Sequence, residues 1–202
     1  MKKTLMVLLV VLFLVPAGLF AGIFDLSLGA TAQYNGSVSV DQGFTWEEGM
    51  NKVENYEFGP DIRMRLLFVE LDIAALYSKL ETGHKFSGIA TGGLSLDLLG
   101  LLRIGVGMGP RLTAVFDEDW GNAKVLDPSG NEIDEDTDFA LAFMNAPMTY
   151  RITADLKLGK ILVGLNYMID SGFTFEKSNY DKLLPNFENG GAIGASVLFT
   201  LF

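Results

Sequence analysis

The chain contains no cysteine, so no disulfide, no thiolate nucleophile and no cysteine-ligated metal enters its chemistry. Histidine occurs once, at His84, which leaves acid–base catalysis a single imidazole. Basic residues are scarce: 15 Lys and Arg stand against 25 Asp and Glu, for a net charge of −10. That balance argues against a nucleic acid as partner. Beyond residue 21 no run of eighteen apolar residues occurs, which excludes membrane-spanning helices. Yet hydrophobic residues make up 49% of the 202 positions. Alternation is how a chain can be this apolar without a helical span.

Residues 1–21 read as a secretory signal. Lys2 and Lys3 form the positive end, an apolar stretch runs over 5–15, Pro16 and Gly18 break it, and Ala21 is a cleavage residue. Leu19 is larger than the usual small residue three positions before a cut. The mature chain from residue 22 is of single-domain length.

Alternation is clearest over residues 57–79. Phe58, Pro60, Ile62, Met64, Leu66 and Phe68 are apolar, with Gly59, Asp61, Arg63 and Arg65 between them. At 68–69 the phase flips. Val69, Leu71, Ile73, Ala75 and Tyr77 are then apolar, opposite Glu70, Asp72 and Ser78. A period of two means strand, and a flip without a polar spacer means a tight turn. Phe58 and Phe68 lie ten residues apart on one face, as do Phe24 and Tyr34. Ten residues at about 3.3 Å, tilted by about 40°, climb roughly 25 Å, the height of the apolar band between the aromatic girdles of a membrane barrel.

The same pattern gives a first strand over 22–35 and, after the hairpin, strands over 88–99, 101–116, 148–158, 161–170 and 191–202. Polar loops are expected at 36–56, 80–87, 117–138 and 171–189, and tight turns at 67–69, near Gly100 and at Gly159–Lys160. The 80–87 loop would hold His84. The 117–138 loop carries nine carboxylates and one lysine, and its DPSG turn at 127–130 suggests a hairpin above the membrane. Loops and turns alternate, so all long loops fall on one side. The fold class expected is all-β: an eight-stranded antiparallel up-and-down transmembrane barrel whose last strand closes on its first and leaves no edge.

A soluble barrel would carry its polar face outward, rich in lysine and glutamate. Here the polar face is glycine, serine, threonine, asparagine, aspartate and all five arginines. It therefore points inward. The expected lumen network is Asp25, Asp61, Arg63, Arg65, Glu70, Asp72, Asp97, Arg103, Arg111, Arg151, Asp155 and Lys157, with Asp170 on the same face. Most of these residues fall near the short turns. An eight-stranded interior is just wide enough for side chains, so the charges should pair and close it. Gly105, Gly107 and Gly109 form a bare stripe between Arg103 and Arg111, either a water path or space for side chains reaching across.

Signal, eight alternating strands, acidic outer loops and a terminal Phe202 together resemble the small OmpA-, OmpX- and OmpW-like barrels of Gram-negative outer membranes. The resemblance covers the whole mature chain and is architectural. It implies residence in outer-membrane lipid and a C-terminal aromatic read by the barrel-assembly machinery, which Phe202 would supply. The position two residues earlier, usually aromatic in that family, is Thr200.

No catalytic residue, cofactor or metal site is assigned. His84 is a lone loop histidine with Glu81 and Ser87 near in sequence. The 117–138 loop has carboxylates for a hard cation but not the EF-hand spacing. Residues 139–147, FALAFMNAP, follow that loop either as a bulged extension of the sixth strand or as a short helix capped by Asp138. Phe139, Leu141, Phe143 and Met144 there offer an apolar patch for an extracellular ligand, a small solute or a surface partner. The expected role is structural or adhesion-like, through the outer loops. The alternative is a narrow porin-like channel or a conduit for hydrophobic small solutes.

Overall fold

The structure is a computed structural model that describes residues 23–35, 52–120, 123–126, 132–133, 142, 145–175, 179–185 and 190–201. The signal region, the 36–51 segment, Phe139, Leu141, Phe143, Met144 and Phe202 lie outside the described residues.

Among the described residues there are ten strands: β1 (Phe24–Tyr34), β2 (Tyr56–Leu66), β3 (Val69–Leu80), β4 (Gly83–Leu98), β5 (Leu102–Phe116), β6 (Ala123–Leu126), β7 (Glu132–Ile133), β8 (Met148–Leu158), β9 (Ile161–Asp170) and β10 (Ala192–Thr200). Eight of them form the barrel. Each pairs antiparallel with its chain neighbours, β5 passes to β8, and β10 returns to β1. β6 folds back along the upper end of β5, and β7 pairs antiparallel with it as the hairpin expected in the acidic loop.

The registers fix the barrel's geometry. Phe24 pairs with Leu66, and the ring continues through Val69, Leu94, Val106, Ile152, Tyr167 and Ile193. It returns to β1 at Tyr34, ten residues above its start. Eight strands with a stagger of ten residues give a tilt of about 40° and a radius of about 8 Å. The ten-residue spacing between Phe24 and Tyr34 is therefore the shear of the barrel as well as the height of its apolar band.

The molecule is inside out relative to a soluble barrel. Arg63, Arg103, Arg151, Asp61 and Asp155 are all 2% exposed or less, whereas Val106, Leu165 and Val197 on the outer face are more than half exposed. A soluble barrel is thereby excluded: its apolar face would be the buried one.

Two prolines sit in strands that have no free edge. Each lacks the N–H its neighbour strand would use. The β2–β3 ladder skips Gly59 and Pro60, and the β4–β5 ladder skips Gly109 and Pro110. The local gap leaves both registers unchanged.

One expectation needs correction. The 80–87 segment is not a loop. β3 and β4 stay paired to Leu80 and Gly83, joined by the two residues Glu81 and Thr82. Three long connections therefore stand on that side, not four. On the other side the turns are two residues long at 67–68 and 159–160 and three at 99–101, with positive φ at Leu67, Leu99, Gly100 and Gly159.

Candidate functional site

The lumen is the candidate site, and its charges form three tiers. The lower tier lies at the short-turn end. Register alone places Asp25 opposite Arg65 and Asp97 opposite Arg103. Asp97 accepts from Arg103 Nε at 2.8 Å and Lys157 Nζ at 2.7 Å and forms an ion pair with Arg65 Nη1 at 2.7 Å. Asp25 takes the other edge of Arg103 and lies 3.8 Å from Arg65.

The middle tier is the driest. Asp61 accepts a fork from Arg151, 3.1 Å and 2.5 Å, and a third contact from Arg63 at 3.2 Å. Arg63 crosses the lumen to donate to Asp155 at 2.6 Å and to the Ser196 hydroxyl at 2.9 Å. Arg151 also lies 3.6 Å from Asp72. Arginine suits this place, because its planar fork meets two carboxylates at once. Glu70 lies in the same tier without an ion pair among the described residues.

The upper tier contains two residues outside the network expected from the sequence, Glu57 and Lys85. Glu57 is fully buried, accepts from Arg111 at 2.7 Å and forms an ion pair with Lys85. Its parity matches Asp61 and Arg63, so the signal was present. Lys85, expected in the 80–87 loop, is a strand residue on the inner face. Asp170 lies 3.5 Å from Arg111 and accepts from the Thr149 hydroxyl.

Between the middle and upper tiers lies a small apolar plug of Ala74, Leu76, Ile89, Met168 and Ala192. Beside it, Asn166 donates to Thr31 at 3.1 Å and lies 3.4 Å from the Gln33 amide. The glycine stripe resolves into two uses. Gly105 and Gly107 border a cleft with Arg151 and Glu70, whereas a side chain at Gly109 would run into the backbone of Ala90. Asp25, Arg65, Asp97, Arg103 and Lys157 lie at the short-turn end as expected, whereas Glu70, Asp72 and Asp155, expected there too, stand in the middle tier. Arg63, Asp61 and Arg151 lie at mid-height, and Arg111 at the far mouth.

Above the upper tier an open vestibule of about 330 Å³ is lined by Asn35, Arg111, Met168, Asp170, Gly191 and Ala192. Outside it, aromatic rings form a belt. Tyr34 meets Tyr56 at 5.3 Å, Phe58 meets Tyr77 at 5.6 Å, Tyr77 meets Phe86 at 5.2 Å and Phe86 meets Phe116 at 5.7 Å. His84 belongs to this belt, stacked on Trp120 at 4.0 Å with its Nδ1 2.9 Å from the Tyr77 hydroxyl. A rim of this kind is where amphipathic rings settle at a membrane–water boundary. In the 139–147 segment, Ala142 and Asn145 have helical backbone, and β8 begins at Met148 as the alternation requires.

Neither a protein-family model nor a curated protein matches the chain. Among solved structures, the chain is similar to Neisserial surface protein A (NspA), with 9% identity, 88% of this chain and 95% of that chain covered, and a TM-score of 0.42. At that distance nothing is carried over from NspA, and the fold rests on the registers above.

Proposed function

We propose that the protein is an integral barrel of a Gram-negative outer membrane, with a closed lumen and a structural or surface-interaction role exercised through its long-loop end. The observation that carries this reading is the inverted burial. Apolar side chains cover the outside between two aromatic levels about 25 Å apart, and paired charges fill the inside. The asymmetry of the two ends supports the orientation, with short turns toward the periplasm and long connections outward. A lumen of about 8 Å backbone radius, crossed by Arg63 at mid-height, leaves little room for a solute. On this reading the chain is not an enzyme. Its one histidine is stacked in the outer aromatic belt, away from the buried carboxylates.

The open vestibule supports a second reading, a narrow conduit with its entrance at Arg111 and Asp170. Single-channel recording of the refolded protein in a planar bilayer separates the two. The closed-lumen reading expects a silent wild type and conductance in an Arg63→Ala, Arg103→Ala variant. Steady wild-type conductance would refute it and make the tiers a selectivity filter.

A further inference from the structure

The middle tier is unbalanced. Four carboxylates, Asp61, Glu70, Asp72 and Asp155, share two guanidiniums, Arg63 and Arg151. The closest contacts of those guanidiniums go to Asp61 and Asp155, which leaves Glu70 and Asp72. These two stand two residues apart on the inner face of β3 and are 5% and 6% exposed. Asp72 reaches Arg151 only at 3.6 Å. Among the described residues, Glu70 Oε2, Asp72 Oδ1, Thr91 Oγ1 and Thr153 Oγ1 are all buried without a hydrogen-bond partner.

These residues line one cleft between β3, β4, β5 and β8. Gly105 keeps it open: a methyl group there would come within 2.6 Å of Thr153 Oγ1 and 3.1 Å of Glu70 Oε1. The cleft is too narrow to seat a water molecule. Water therefore cannot satisfy these oxygens. A buried carboxylate with neither partner nor water is costly.

We propose that this cleft binds one bare monovalent cation of sodium size, held by Glu70 and Asp72 with the hydroxyls of Thr91 and Thr153. All the donors are oxygen, which selects a hard cation. The guanidinium of Arg151 beside Asp72 repels a second positive charge and so disfavours a divalent ion. Potassium is about as large as the water that the cleft excludes. The tier holds two more carboxylates than guanidiniums, and one such ion offsets one of those two charges. The inference goes beyond the surface role and holds whichever way the conductance experiment falls.

The test is urea unfolding of the refolded protein in zwitterionic micelles, at equal ionic strength in sodium, potassium or choline chloride. Sodium should raise the midpoint saturably, by about 1 M at a hundredfold excess over its dissociation constant. Potassium and choline should not. Glu70→Gln, which keeps the shape, should abolish the difference, and so should Gly105→Ala, which keeps both carboxylates but fills the cleft. Equal midpoints in the three salts would overturn the proposal. If Glu70→Gln were then more stable in every salt, the missing charge would be a proton. A sodium shift that survives in Glu70→Gln would place the ion elsewhere. A shift given by calcium chloride and not by sodium chloride would refute the monovalent assignment.

Discussion

Asp61→Asn tests whether the middle tier is held by charge or merely filled. Asp61 is fully buried and takes three of the tier's contacts, two from Arg151 and one from Arg63. The asparagine keeps the volume, removes the charge and turns an amide N–H₂ toward a guanidinium. Arg63 would keep its 2.6 Å contact to Asp155 and its bond to Ser196. Arg151 would keep only Asp72, at 3.6 Å. Removing one partner of a buried pair costs about 3–5 kcal/mol. Because Arg63 retains its shorter contact and Asp72 can close on Arg151, the loss should fall near the lower end, about 3 kcal/mol. Urea unfolding in lipid vesicles, followed by the heat-dependent gel mobility that folded barrels show, would measure it. Adding Arg151→Met should recover most of the loss, because replacing a whole buried pair is close to neutral. A loss under about 1 kcal/mol in the single variant would refute the reasoning, as would a double variant no better than the sum of the two singles.

Three further outcomes follow from the same geometry. Leu165→Arg, at mid-height on the outer face and 65% exposed, should destabilise the protein in vesicles by about 2–4 kcal/mol, whereas Leu99→Arg in the short turn should cost about 0–1; equal costs would mean that the outer face is not in lipid. Gly164→Ala would drive a methyl group into the Asp155 carboxylate and push it off Arg63, costing about 1–3 kcal/mol in urea unfolding. Asp97→Asn in the lower tier should cost less than Asp61→Asn, about 1–2 kcal/mol, and the loss should shrink at high salt because this tier borders water.

The strands were legible because alternation is a local signal. Residues 148–158 read as one strand from parity alone, and β8 has those bounds. The reading failed at 80–87 for a physical reason. Above the membrane both faces of a hairpin are polar, so Lys79, Glu81, His84 and Lys85 show no contrast between faces, although the ladder continues through them. Glu57 was lost at the same boundary. His84 was a loop residue on paper; a ring neighbour 36 positions away, Trp120, makes it part of a belt.

By itself the sequence determined the eight strands between their loops, the face that most of their side chains take, where the three short-side turns fall and that the charged face is the inner one. Each depends only on residues next to one another, through a backbone period of two. Only the closed structure decided the stagger of ten, the split of the charges into three tiers, and which arginine meets which carboxylate. Arg63 and Asp155, or Arg151 and Asp61, stand some ninety residues apart and meet across the lumen. Their meeting depends on how eight registers add up around a ring, and no stretch of the chain carries that total.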